Sequence, residues 1–133
     1  MPAIAGETVV YGVIGHPVAH SLSPLMHNQA FSNTGYPGVY VPFQVQNIAA
    51  AIDGIRALNI RGISVTIPHK TSILPYLDRI DDAAKAIGAV NTVLNDQGRL
   101  IGYNTDAYGA VLALSEKISI RDKDVVIIGA GGA

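Results

Sequence analysis

The residues of this 133-residue chain that are able to do chemistry gather in three short segments. The first is "HSLSP", His20 to Pro24. A residue before proline favours an extended backbone, and side chains two apart in such a backbone share a side. Ser21 and Ser23 are therefore expected to project together. Pro24 suits the first turn of a helix, and Ser23 suits its cap. Two hydroxyls beside the free N–H groups of a helix N-terminus make a cradle for a carboxylate. The plainer alternative is that Ser23 only caps the helix.

The second segment is "VTIPHK", Val65 to Lys70, where a strand passes into a loop or helix. Ligands of parallel sheets collect at the carboxyl ends of the strands. If a helix begins after Pro68, Lys70 stands in its first turn. There the positive end of the helix dipole opposes a cation and eases the loss of its proton. A solvated surface lysine is the alternative. The third segment pairs "GAVNT" with "GYNTD" and offers Asn91, Asn104, Thr105 and Asp106. Mixed donors and acceptors in a small space suit a polyhydroxylated ligand. Alternatively, Thr105 or Asp106 caps the next helix and Asn91 satisfies a turn. The histidines carry less. Pro17 spoils a helical metal pair between His16 and His20, and without cysteine no metal site is expected. His27 reads as a packed or surface histidine, and His69 has no assigned role.

These segments need elements to position them. "VVYGVIG" (Val9 to Gly15) reads as a buried strand. A helix follows Pro24, with Leu25, Gln29 and Ser32 on one face and Gly35 as its stop. Val39 to Val45 is strand-like, and Pro42 marks it as an edge. Asn47 caps an amphipathic helix carrying Ile48, Ala51, Ile52, Ile55 and Leu58. Gly62 to Ile67 is the next strand, followed by short helices over about 70–77 and 81–89. A hairpin turns at Asp96, Gln97 and Gly98. A helix covers 105–117 and a last strand Asp122 to Gly129. Alternating strands and helices predict an α/β fold with a mostly parallel sheet flanked by helices and an antiparallel hairpin. The last strand runs into Gly129, Ala130, Gly131, Gly132 and Ala133, as a dinucleotide-binding unit begins.

Composition narrows the partners. Nine basic and ten acidic residues leave a net charge of −1 with no basic cluster, which argues against nucleic acid and anionic membranes. Charged residues are only 14%, against about 25% in a typical domain, so part of this surface is expected to meet something else. "MPAIAGETVV" has no secretory pattern, and no apolar run reaches the ~18 residues of a membrane span. With no cysteine there is no disulfide framework, and a cytoplasmic location is expected.

Taken together, "GVIGHPVAHSLSPLMHN", "ISVTIPHK", "GAVNTV", "GYNTDAYG" and the terminal "GAGGA" resemble the shikimate dehydrogenase family in order and spacing. The resemblance implies reduction of 3-dehydroshikimate to shikimate with NADPH, in the shikimate pathway of aromatic amino-acid biosynthesis. It implies that the serines at 21 and 23 hold the substrate carboxylate. Thr66, Asn91 and Asp106 would hold ring hydroxyls, and Lys70 and Asp106 would form the catalytic pair. Gly129, Gly131, Gly132 and Ala133 would begin the NADP site. The implied division is a shikimate-binding catalytic domain over 1–105, a linking helix over 106–121, and over 122–133 the first strand and glycine turn of a truncated NADP-binding domain. A chain so divided is expected to turn over little or not at all alone, and its exposed last strand to be either disordered or paired with another chain, a second copy being one such partner. Ser64, His69 and Tyr103 depart from the family's usual Asn, aromatic and Asp. Ser23, where quinate-using relatives often carry Thr, favours shikimate. The alternatives are a quinate-directed relative and a non-catalytic binding or assembly module.

Overall fold

β-Branched residues build the first strand, β1 (Val9–Gly15), and its alternation defines the two faces of the sheet. Val10 and Ile14 join the larger core, Tyr11 and Val13 the smaller one. The computed structural model describes residues 4–129. In it β1 pairs in parallel with β2 (Gly38–Gln44) on one side and β3 (Gly62–Val65) on the other. On the far side, β4 (Arg79–Ile80) lies parallel to the strand that ends the hairpin. That hairpin consists of β5 (Thr92–Asp96) and β6 (Arg99–Tyr103), and β5 is antiparallel to β3 as well as to β6. The order is β2-β1-β3-β5-β6-β4, so every strand but β5 runs the same way. This is the expected α/β fold. Pro42 lies in edge strand β2, as its missing N–H requires.

Helix α1 (Ser23–Thr34) covers the smaller core and ends at Gly35, whose φ of 67° suits glycine. Leu25, Gln29 and Ser32 share its outer, exposed face. Its inner face presents His27, Asn28 and Phe31. Asn28 replaces an apolar contact with two bonds to the β2 backbone, donating to Tyr40 O at 2.8 Å and accepting from Tyr40 N at 2.9 Å. On the other face α2 (Ile48–Ala57) buries Ile52 and Ile55, and Asn47 Oδ1 accepts from Ala50 N at 3.1 Å as the expected cap. The same core takes Ile73, just after α3 (His69–Ser72), and Ala84 of α4 (Asp82–Ile87). A 3₁₀ turn spans Leu74–Tyr76. The hairpin turns on Gln97 (φ 52°) and Gly98 (φ 90°), the left-handed pair that a two-residue loop needs.

Helix α5 (Asp106–Ser115) buries none of its residues. The strand expected over Asp122 to Gly129 does not form: Arg121 and Asp122 make a turn and the described remainder has no regular structure. A strand needs a hydrogen-bonding neighbour, and no described strand lies beside it. Val125 to Ile128 stay exposed, without the strand edge on which pairing between copies was expected to rest. No helix among the described residues is long and apolar enough to cross a membrane.

Candidate functional site

The loops leaving β1, β3 and β6 and the loop leading into β5 meet at one end of the sheet. They enclose a cavity of about 480 Å³, within the roughly 300–1,000 Å³ usual for small-molecule sites. Ser21 and Ser23 line it from the first loop, Thr66 and Lys70 from the second, Asn91 from the loop before β5, and Asp106 from the start of α5. Glycine at position 15 is needed to bring the first two loops together. A Cβ there would meet Thr66 Cγ2 at 2.5 Å.

Lys70 Nζ donates to Asp106 Oδ2 at 2.7 Å across 36 residues of chain. The lysine side chain is 15% exposed and the carboxylate 44%, so one edge of the pair stays open to a ligand. Asp106 Oδ1 accepts from Asn91 Nδ2 at 2.8 Å. The same amide nitrogen donates to Thr105 Oγ1 at 2.8 Å, while Asn91 Oδ1 accepts from Thr105 N at 3.0 Å. The Asn91 backbone ties β3 to β6, accepting from Val65 N at 2.7 Å and donating to Tyr103 O at 3.0 Å. The Asp106 carboxylate is thus set by the sheet through Asn91. Asn104, rather than Thr105 or Asp106, caps α5. Its Oδ1 accepts from Asp106 N at 3.0 Å and Ala107 N at 3.3 Å. Capping by Asn104 leaves the Asp106 carboxylate to face Lys70.

The two serines share a side for a different reason than expected. Leu22 holds the cap position with φ −87° and ψ −6°, so the chain is already coiling and not extended. Ser23 is the first residue of α1, and Ser21 Oγ accepts its N–H at 3.3 Å. Helix α3 does begin after Pro68, so Lys70 stands in its first turn. A helix of four residues carries little dipole, and the carboxylate 2.7 Å away dominates the lysine's surroundings.

Three residues of the site were not legible as such. His69 is buried and its Nε2–H donates to Val45 O at 2.8 Å, anchoring α3 to the end of β2 with Lys70 on the cavity side. His27 lines the cavity and stacks on the Tyr40 ring, centroids 4.3 Å apart. Tyr40 is buried, and it lines a larger groove alongside. That groove, of about 870 Å³, is lined by Tyr11, Phe31, Tyr36 and Leu94 among others, shares His27 and Ser64 with the cavity, and presents no lysine, arginine, aspartate or glutamate. The Lys70–Asp106 pair lies in the smaller cavity. Of the expected nucleotide-binding residues, Gly129 has φ 98°, which fits a glycine turn. Gly131, Gly132 and Ala133 lie outside the described residues.

A family model described as the shikimate dehydrogenase substrate binding domain matches residues 13–93. The chain belongs to this family. The family's matched span carries Ser21, Ser23, Thr66, Lys70 and Asn91, while Asp106 lies beyond it on α5. A shikimate dehydrogenase (NADP(+)) of Geobacillus kaustophilus is 55% identical over 127 residues, which are 92% of this chain and 46% of the relative. A crystal structure of a shikimate dehydrogenase in complex with NADP+ superposes with a TM-score of 0.93 at 54% identity, covering 98% of this chain and 46% of that one. The shikimate dehydrogenase of Thermus thermophilus in complex with shikimate gives 0.86 at 41% identity, over 93% of this chain and 48% of that one. This substrate-binding-domain chain thus spans about half the length of the shikimate dehydrogenases it matches.

Proposed function

We propose that this chain is the substrate-binding half of an NADP-dependent shikimate dehydrogenase, reducing 3-dehydroshikimate to shikimate. The observation that carries the reading is the 2.7 Å Lys70–Asp106 pair standing over a cavity lined by Ser21, Ser23, Thr66 and Asn91. Residues 1–105 would form the substrate domain, 106–121 the link, and 122–133 the beginning of the cofactor domain. Gly129, with Gly131, Gly132 and Ala133, would receive NADP(H), which supplies the hydride when bound.

The chain's own residues account for the rest of the chemistry. Ser21 and Ser23 at the start of α1 donate to the substrate carboxylate and fix one end of the ring. Thr66 and Asp106 face the ring hydroxyls. Reduction of a ketone builds negative charge on its oxygen. The Lys70 ammonium opposes that charge and gives the oxygen its proton. Asp106 holds Nζ in place, and Asn91 holds Asp106.

Titration calorimetry of the 133-residue chain with shikimate tests the binding part of this reading. Binding with a Kd between about a micromolar and a millimolar is expected, at least tenfold weaker in Ser21→Ala. Absence of binding by the unaltered chain contradicts the reading.

A further inference from the structure

Helix α1 begins at Ser23, just after Ser21, so the height of this helix along the sheet sets where both hydroxyls stand in the cavity. Apolar burial does little to set that height. The helix has no buried residue, and the half-buried Phe31 is what it packs against the smaller core. Such packing is non-directional and tolerates a small slide. The first turn is not pinned either, since no side chain caps it at Leu22.

Asn28 supplies the missing direction. Val9 N donates to Pro37 O at 2.8 Å and Val45 N to Gly15 O at 3.0 Å. The odd-numbered residues of β2 therefore bond to β1, and the even-numbered ones turn their N–H and C=O groups toward the open edge. Of these, Gly38 N donates to Tyr36 O at 2.8 Å, and Pro42 has no N–H to offer. The Tyr40 backbone keeps both groups for a partner at the middle of the edge, and the Asn28 amide takes both, at 2.9 and 2.8 Å. The side chain stands in for one residue of a neighbouring strand. Two opposed, directional bonds to a single residue fix the helix both along the strand and in its distance from it. Ser23 lies on the same helix, roughly 7.5 Å from Asn28 along the axis.

We propose that Asn28 is a positioning residue for the carboxylate end of the site: its two bonds to the Tyr40 backbone set the height of α1 and so place Ser21 and Ser23 for the ligand. The inference rests on the shikimate reading above and adds a residue that touches no ligand, for Asn28 lies outside the cavity. Its effect passes through the helix that the serines begin.

The test is titration calorimetry with shikimate on the 133-residue chain and its variants, well below their melting temperatures so that every chain is folded. Asn28→Leu keeps the size of the side chain and removes both bonds. Asn28→Ser removes them too, but leaves room for water to serve the Tyr40 N–H and C=O, and so carries the test if the leucine variant does not fold. Each is expected to bind shikimate about three- to tenfold more weakly. The loss should shrink below about twofold in a Ser21→Ala background, where the displaced hydroxyl is already gone. It should persist in full in Thr66→Val, whose hydroxyl belongs to the other loop. Equal losses in the two backgrounds mark a merely structural asparagine and overturn the proposal. So does shikimate binding unchanged by the Asn28 variants while Ser21→Ala weakens it, a result that leaves the shikimate reading intact. If the unaltered chain does not bind shikimate, that reading fails and takes this inference with it.

Discussion

Asn91 is the residue on which the site's geometry turns. Both ends of its amide are engaged, the nitrogen with Thr105 and Asp106, the oxygen with Thr105 N and the Thr92 hydroxyl at 3.0 Å. An amide so committed is expected to act on a ligand chiefly through Asp106. In a chimaera joining this chain to the remaining half of the Geobacillus kaustophilus relative, Asn91→Ala should lower kcat by about tenfold with KM changed less, because one bond fixing the carboxylate is lost. A rise in KM with kcat intact would make Asn91 a ring-binding residue instead. The residues that sequence reading found are those whose type announces a role: serines before proline, a lysine at a strand's end, a compact polar set. It missed His69 and Tyr40 because their roles depend on partners 24 residues away, Val45 and Ser64, which no local pattern links to them. It gave the α5 cap to Thr105 or Asp106 because neighbouring side chains compete for the same N–H groups, and the Asn104 bond to Ala89 O at 3.0 Å decides the contest.

At the scale of elements, the hairpin must be held against the helices for Asn91 and Asp106 to meet. Two polar groups do this. Asn95, fully buried, accepts from Gly98 N at 2.7 Å and donates to Ile60 O at 3.0 Å and Ile55 O at 3.3 Å, tying the turn to the end of α2. Arg56 of α2 reaches Gly98 O and pairs with Asp78 at 2.9 Å, while Asp78 also accepts from Leu100 N at 2.6 Å. The Arg56 guanidinium and the Leu100 N–H hold the Asp78 pKa below the usual carboxylate range. A lowered folded pKa means stability that is present above the ordinary carboxylate pKa and lost as pH falls through the folded one. Asp78→Asn should therefore lower the melting temperature at pH 7 by a few degrees, with the gap to the unaltered chain closing under acid conditions. The side chain is 41% exposed, so salt should shrink the gap as well. A gap constant from pH 7 to pH 2 would contradict this. Elements with complete local signals were legible: the β-branched run of β1, the Asn47 cap and apolar stripe of α2, and the Gln97–Gly98 turn. The two-residue β4 has too few residues for any period, and the final strand failed because an apolar run alone supplies no neighbour.

For the whole molecule, the sheet order explains why distant segments converge. Reversing β5 alone brings its beginning, with Asn91, to the same end of the sheet as the exits of β1, β3 and β6. That end is where a parallel sheet receives its ligand. The described residues build a polar cavity there, and turnover is measured on the chimaera. The most direct measurement of the central claim is steady-state reduction of 3-dehydroshikimate with NADPH by that chimaera and its Lys70→Ala form. The expected result is a kcat about a hundredfold lower or worse with KM altered only a few-fold, because the ammonium acts on charge that appears in the transition state. A lysine replacement that raises KM and leaves kcat untouched would contradict it.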